Sequence, residues 1–130
     1  MAEHSAHIQW HSGGEFSHLS YTTEHVANIS GHALPMAAAN TQDHIDPEQA
    51  LAASVASCHM LTFLALAAKK RLVVERYEDN PIAFSEAKDD GRFWVSKIQL
   101  APKVIFAEGH GPKGDGLKKM HDKAHHHCFI

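Results

Sequence analysis

The middle of the chain contains a long stretch without any charged side chain, residues 50–68. Ala, Leu and Met dominate it and Gly is absent, a composition that favours helix. Asp46 is a suitable N-cap, Pro47 suits the first helical position, and Gln49 completes a capping box. A basic cluster that begins at Lys69 suits a helix C-terminus. We therefore predict a single helix over 47–69, apolar nearly all round and buried in a core.

A membrane span is the alternative for this helix, because about 20 apolar residues followed by basic residues are typical of one. Much of the stretch is Ala and Ser, however, it contains Cys58 and His59, and no aromatic belt marks its ends. A buried helix of a soluble protein is the better interpretation. Residues 1–14 have neither a basic start nor an apolar run, so no signal peptide is predicted. We expect a cytoplasmic protein without a membrane partner.

The size and charge of the chain indicate one domain spanning residues 1–130. It has 130 residues, of which 44% are hydrophobic, and a formal net charge of −3. All 12 Lys and Arg residues lie from Lys69 onward, without the clustered basic face of a nucleic-acid-binding protein. We expect no nucleic-acid partner. Two cysteines are too few for a disulfide scaffold but can form a redox pair.

The segments outside the central helix show the alternation and turn signals of short strands. Asp89-Asp90-Gly91 predicts a tight turn. The Gly-rich segment 109–116 lacks the spacing of a phosphate-binding loop. Strands are predicted over residues 6–10, 16–21, 25–29, 73–77, 82–87, 93–100 and 104–106, and a loop over 31–43.

A second helix is predicted near the end of the chain, capped by Asp115. Leu117, Met120, Ala124 and Cys128 form a stripe that places Cys128 on the inward face. The chain then stops after apolar residues, which predicts that a C-terminal strand is missing. His125, His126 and His127 precede Cys128, and imidazole and thiolate suit Zn²⁺. Consecutive helical residues point about 100° apart, so at most two of these histidines can share a metal with Cys128.

The two cysteines allow two interpretations. Either Cys58 is a reactive thiol and Cys128 its resolving partner, or both are structural thiols, since free Cys is often buried. Glu48 lies ten residues before Cys58, about 15 Å along a straight helix, so the two do not touch within it.

Two motifs resemble those of the OsmC/Ohr family of thiol-dependent peroxidases. The first is Asp46-Pro47-Glu48-Gln49 running to Cys58-His59-Met60, and the second is Ala124-His125-His126-His127-Cys128. The resemblance implies an α+β fold in which a long helix packs on an antiparallel sheet, and an intertwined homodimer. It implies that Cys58 is the peroxidatic cysteine, Cys128 the resolving cysteine and Glu48 the acidic residue of the site.

The implied reaction needs no cofactor and no metal. A thiolate attacks the O–O bond of an organic hydroperoxide and becomes a sulfenic acid, which condenses with the second thiol to a disulfide. An external thiol or dithiol reductant then restores the protein. An apolar pocket that includes Met60 and Phe63 is expected to favour organic peroxides.

One position departs from the family pattern. We expect an arginine within a Tyr-x-Arg-x-His pattern, but the chain reads Tyr21-Thr22-Thr23-Glu24-His25. With Thr23 in that place, His25, His18 and His59 are candidates for the activating cation. The alternative functions are therefore an OsmC-like protein with weak or no peroxidase activity that binds a small apolar ligand, and a His/Cys metal-binding protein.

Overall fold

Two helices and antiparallel strands make up the chain, which confirms the predicted α+β class. The computed structural model describes residues 1–130 and divides them into two compact units, Met1–Ala50 and Leu51–Ile130, which are described separately. The helices are α1 (Pro47–Lys69) and α2 (Gly116–His127); the strands are β1 (His7–Gln9), β2 (His25–Ile29), β3 (His32–Met36), β4 (Val74–Glu78), β5 (Ile82–Ala87), β6 (Phe93–Gln99) and β7 (Lys103–Phe106).

The N-terminal unit is built on a three-stranded antiparallel sheet with β2 in the middle. The predicted loop over 31–43 is wrong in its first part, because β3 lies there and pairs with β2 through a two-residue turn. Ser30 and Gly31 occupy that turn with φ of 49° and 78°, the left-handed values that such hairpins require. The predicted strand over 16–21 is also wrong, since it contains only an isolated bridge between Ser17 and Ser20.

The start of α1 is fixed by the predicted capping box. The Asp46 carboxylate accepts a hydrogen bond from the Gln49 backbone N–H over 2.8 Å, and the Gln49 side chain accepts one from the Asp46 N–H over 3.0 Å. Each side chain thereby satisfies a backbone donor that the helix leaves without a partner. The predicted N-terminus of the helix is confirmed.

A Schellman motif ends α1. The N–H of Leu72 donates to the Ala67 carbonyl over 3.0 Å, and the N–H of Arg71 donates to the Ala68 carbonyl over 3.0 Å. Arg71 holds the left-handed position with φ of 61°, where glycine is more common. Leu72 then packs against the cluster that contains Ala67, the apolar contact that usually accompanies this motif.

The C-terminal unit combines the rest of α1, α2 and two antiparallel strand pairs, β4 with β7 and β5 with β6. Its core lies between the two helices and the β4–β7 pair, and Phe63 is fully buried in it. Met120 and Ala124, two members of the predicted stripe on α2, are buried in this core, whereas Leu117 is exposed. The predicted inward face of α2 is thus confirmed for its central residues only.

One face of α1 remains uncovered. The buried residues of α1 are only Ala52, Ala56, His59, Phe63 and Ala67. On the uncovered face, Leu61 is 61% exposed. By length and composition α1 is the one helix that can cross a membrane, but buried helices of soluble proteins share these properties, so the indication is weak. The expectation that α1 is buried all round is therefore not met within a single chain.

Candidate functional site

The sulfur of Cys58 lies at the end of α2, where it accepts a hydrogen bond from the backbone N–H of Phe129 over 3.3 Å. The thiol of Cys128 also lies within hydrogen-bonding reach of this sulfur. Both cysteines are half-buried and neither is in a disulfide. The structure therefore brings together two cysteines that are 70 residues apart in the sequence.

The two thiols differ in acidity. The neighbouring Cys128 thiol, followed by the N–H groups of Phe129 and Ile130 and the hydroxyl of Thr62, holds the pKa of Cys58 below its usual value against the opposing effect of burial. Burial and the neighbouring Cys58 raise the pKa of Cys128. Cys58 is therefore the more readily ionised thiol of the pair.

Cys128 lies outside α2. The helix ends at His127, and Cys128 has φ of −64° and ψ of 138°, which is extended backbone. The prediction that Cys128 belongs to the helical stripe is therefore wrong by one residue, because the helix stops directly before the fourth position of the stripe. The extended backbone at this residue carries the chain towards Cys58, where the Phe129 N–H makes its hydrogen bond.

His59 is buried and contacts α2. Its Nε2 lies 3.0 Å from Nδ1 of His121, and the side chain is only 5% exposed. Burial, with a smaller effect of His125, lowers the pKa of His59 although Asp79 acts in the opposite direction. A lowered pKa disfavours the charged ring, which counts against His59 as the positive charge that we considered for activating Cys58.

A cavity of about 290 Å³ opens on another face of α1. Met60 lines it, as expected for the apolar pocket, but Phe63 belongs to the core instead. Its walls are Ala53, Ala56, Ser57, Met60, Tyr77, Asp79 and Pro81.

Three buried polar atoms near this part of the core have no hydrogen-bond partner: Nδ1 of His59, the hydroxyl of Tyr77 and Oδ2 of Asp79. Burial, followed by the charge of Asp79, raises the pKa of Tyr77 to about 12. The other carboxylate oxygen of Asp79 accepts a hydrogen bond from the Ala101 N–H over 2.7 Å. No three His, Cys, Asp or Glu side chains of the chain come together in a way that can hold a metal ion.

A family model for OsmC-like proteins matches residues 40–130, more than half of the chain. The chain belongs to the OsmC-like family. The resemblance in its two cysteine motifs is thereby confirmed at the level of the family.

Solved structures agree with this assignment. An OsmC-like protein of unknown function from Vibrio cholerae shares 34% identity and a TM-score of 0.89, covering 99% of this chain and 91% of its own. An organic hydroperoxide resistance protein from Elizabethkingia anophelis shares 12% identity at a TM-score of 0.73, with 98% and 84% covered. An organic hydroperoxide resistance protein from Bacillus subtilis shares 17% identity at a TM-score of 0.64, covering 96% of this chain and 86% of its own. The last two show the fold alone. A comparison with curated proteins gave no match.

Two predicted residues of this OsmC-like protein lie in its N-terminal unit. Glu48 is half-buried in the first turn of α1. The hydroxyl of Thr23, which stands where the family arginine is expected, accepts a hydrogen bond from the Ala38 N–H over 3.1 Å. His18 and His25 lie in the same unit and stay predictions as activating groups.

Sequence reasoning missed two contributors to the site. His121 directly follows Met120 and stands three residues before Ala124, so it flanks the predicted inward stripe of α2, and that placement was the available signal. The Phe129 contribution is a backbone N–H and has no signal in the sequence.

Proposed function

We propose that this OsmC-like protein is a cysteine-based peroxidase that reduces organic hydroperoxides. The observation that carries the proposal is the asymmetric thiol pair, in which the pKa of Cys58 is lowered and that of Cys128 raised at hydrogen-bonding distance from each other. A nucleophile and a resolving thiol need this asymmetry, because one must be a thiolate and the other must remain available as a thiol. The names of the two hydroperoxide resistance proteins with this fold support the choice of substrate class.

The reaction proceeds in three steps. The Cys58 thiolate attacks the terminal oxygen of the hydroperoxide, the O–O bond breaks, and the alkoxide leaves and takes a proton from water to become an alcohol. The Cys58 sulfenic acid then reacts with the Cys128 thiol, forming a disulfide and water. An external thiol or dithiol reductant returns both cysteines to thiols by exchange and is itself oxidised to a disulfide.

The hydrogen bonds at Cys58 have a role in the first step. The Phe129 N–H donates to its sulfur and the neighbouring Cys128 thiol lowers its pKa, and both effects favour the charged form of the Cys58 thiol. They supply part of the stabilisation that the family arginine is expected to give. Glu48 belongs to the proposal as the acidic residue of the site. The proposal includes a homodimer, since α1 leaves an apolar face uncovered. It also includes a cytoplasmic location.

The test is the reaction of the reduced protein with cumene hydroperoxide, followed by mass spectrometry of the thiols. One disulfide between Cys58 and Cys128 per alcohol formed is the expected result. Thiols that stay unchanged while the fold is intact would refute the proposal.

A second candidate is an OsmC-like protein that binds a small apolar ligand without turning over peroxide. The cavity beside Met60 favours it, because its volume of about 290 Å³ and mostly apolar walls suit a small ligand. This role predicts unchanged thiols in the same experiment, together with protection of the Met60 side chain from oxidation when ligand is present.

A further inference from the structure

The contact between His59 and His121 joins the two helices that carry the cysteines. The nitrogens lie 3.0 Å apart, the ring planes are within 8° of parallel, and the ring centroids are 5.3 Å apart. His121 also stacks on the buried ring of Phe63, four residues after His59 on α1, with centroids 4.5 Å apart. His121 therefore contacts two residues of α1, and these contacts fix the position of this part of α2.

The same two segments also meet at the sulfurs. Cys58 immediately precedes His59 on α1. Cys128 follows His121 by seven residues and is the first residue after α2, about 10 Å from His121 in the direction of the helix axis. The helix continues without interruption from His121 to His127. Because a helix of this length moves as one body, a displacement of α2 at His121 also displaces Cys128 from Cys58.

The hydrogen bond between the two rings depends on their protonation. One facing nitrogen must carry a proton and the other a lone pair, so the bond is lost when both rings are imidazolium ions. The groups that surround the pair are His125 and Asp122 from α2, and Tyr77 and Asp79 from the β4 side. The two carboxylates favour protonation, but burial has the larger effect and lowers the pKa of both His59 and His121.

We infer that His59 and His121 are positioning residues, whose neutral hydrogen-bonded pair holds the end of α2 so that the Cys128 sulfur stays against Cys58. The inference rests on the proposed function. The step that depends on it is the reaction of the Cys58 sulfenic acid with the Cys128 thiol, in which the S–S bond forms, the S–O bond breaks and water leaves.

Acid weakens this positioning. The two histidines bind protons less tightly when they are buried than when α2 is displaced and they reach water. Protonation of the rings therefore favours the displaced position of α2. The effect begins as the pH falls through the ordinary histidine pKa of about 6.5. Below that pH, Cys58 forms the disulfide with Cys128 less readily.

The experiment measures the disulfide equilibrium of the whole protein in glutathione buffers, from about pH 5.5 to about pH 7.5, by acid quenching and mass spectrometry. It needs no peroxide, so its outcome is independent of the proposed peroxidase activity. His121→Asn keeps a hydrogen-bonding atom near the position of Nδ1 but does not titrate. His121→Ala removes the bond, and His126→Asn is the matched control, since His126 is an exposed histidine of the same helix.

The parent and His126→Asn should lose about tenfold in the equilibrium constant across this range, whereas His121→Asn, in which only His59 of the pair still titrates, should lose clearly less than the parent. Dividing the variant profile by the parent profile removes the pH dependence that belongs to the thiols themselves. His121→Ala should be lower by about two- to tenfold even at the upper pH. A profile of His121→Asn that coincides with the parent would overturn the inference, and so would an equally large change in His126→Asn.

The outcome for the proposed function is read separately. If Cys58 fails to react with cumene hydroperoxide but the glutathione equilibrium shows the expected pH dependence, the peroxidase proposal fails and the positioning role of the histidines stands. If the peroxide reacts but the equilibrium of the parent and of His121→Asn has the same pH profile, the positioning role fails alone.

Discussion

The backbone N–H of Phe129 donates a hydrogen bond to the sulfur of Cys58 over 3.3 Å, although 71 positions separate the two residues. The donor is part of the main chain, so it stays in place whatever side chain follows Cys128. Together with the Cys128 thiol it makes Cys58 the more acidic cysteine of the pair.

The first prediction concerns this acidity. Cys128→Ala removes the largest cause of the lowered pKa at Cys58, so the pKa of Cys58 should rise towards the usual thiol value. The rate of alkylation by iodoacetamide, measured at Cys58 as a function of pH, should show its midpoint at higher pH than in the parent. Phe129→Ala is the control, because it keeps the backbone donor, and its midpoint should not move. An unchanged midpoint in Cys128→Ala would contradict the assignment.

The second prediction separates the roles of the two cysteines. Cys58→Ser should abolish peroxide consumption, because no other thiolate attacks the O–O bond. Cys128→Ser should react once and then accumulate sulfenic or over-oxidised Cys58, since no thiol resolves it. Peroxide consumption and the mass of the Cys58 peptide are the measurements. Equal residual turnover of the two variants would reject the assigned roles.

The third prediction addresses the missing arginine. Thr23→Arg should raise the peroxidase rate if Thr23 occupies the family position, because a guanidinium favours the thiolate and hydrogen-bonds the peroxide in a fixed geometry. Thr23→Val is the matched control, since both substitutions remove the hydroxyl that accepts the Ala38 N–H. The comparison of the two variants therefore isolates the charge. Identical rates for both would show that Thr23 is not the arginine position.

The fourth prediction concerns assembly. The exposed apolar face of α1 needs cover, so the protein should be a homodimer at micromolar concentration. Leu61→Glu places a charge on that face and should shift the molar mass from light scattering towards the monomer. Ile105→Glu makes the same change at an exposed apolar residue of β7 and should leave the mass unaltered. A parent protein that is monomeric and folded would refute the expectation.

The fifth prediction tests the core between the helices. Phe63 is fully buried and contacts the rings of His121 and Tyr77, so Phe63→Ala should lower the free energy of unfolding by about 3–5 kcal/mol. Phe93→Ala deletes a phenyl ring at a position that is 77% exposed. This substitution should change the free energy of unfolding by no more than about 0.5 kcal/mol. Chemical denaturation measures both. A loss at Phe63 no larger than at Phe93 would contradict the described core.

The helices were predictable from the sequence because their signals are local. The capping box of Asp46 and Gln49 and the charge-free run after it are contained within one segment, and α1 has the predicted bounds. The strand β3 was missed because Pro35 counts against a strand. Pro35 is tolerated there since β2 is the only strand that pairs with β3, whose other side carries just a short bridge at Ile45 that needs no Pro35 N–H.

The candidate site was less accessible to prediction. The residues alone favoured structural thiols over a reactive pair at Cys58 and Cys128, since nothing local shows that two distant segments meet. The resemblance to the family supplied the pairing. The neutral state of His59 depends on burial against His121, a tertiary contact, so its candidacy as a cation could only be judged in the folded chain.

The extended backbone at Cys128 brings this residue to Cys58, and a disulfide between the two would have a thermodynamic consequence. A disulfide from this residue to Cys58 would close a covalent ring of about 70 residues, and in the chain-entropy description such a ring stabilises a fold by about 4 kcal/mol. In each proposed turnover the protein would pass from a dithiol form to a disulfide form that is more stable to heat, and back again. The melting temperature of the protein would then show whether Cys58 and Cys128 are reduced or joined in a disulfide.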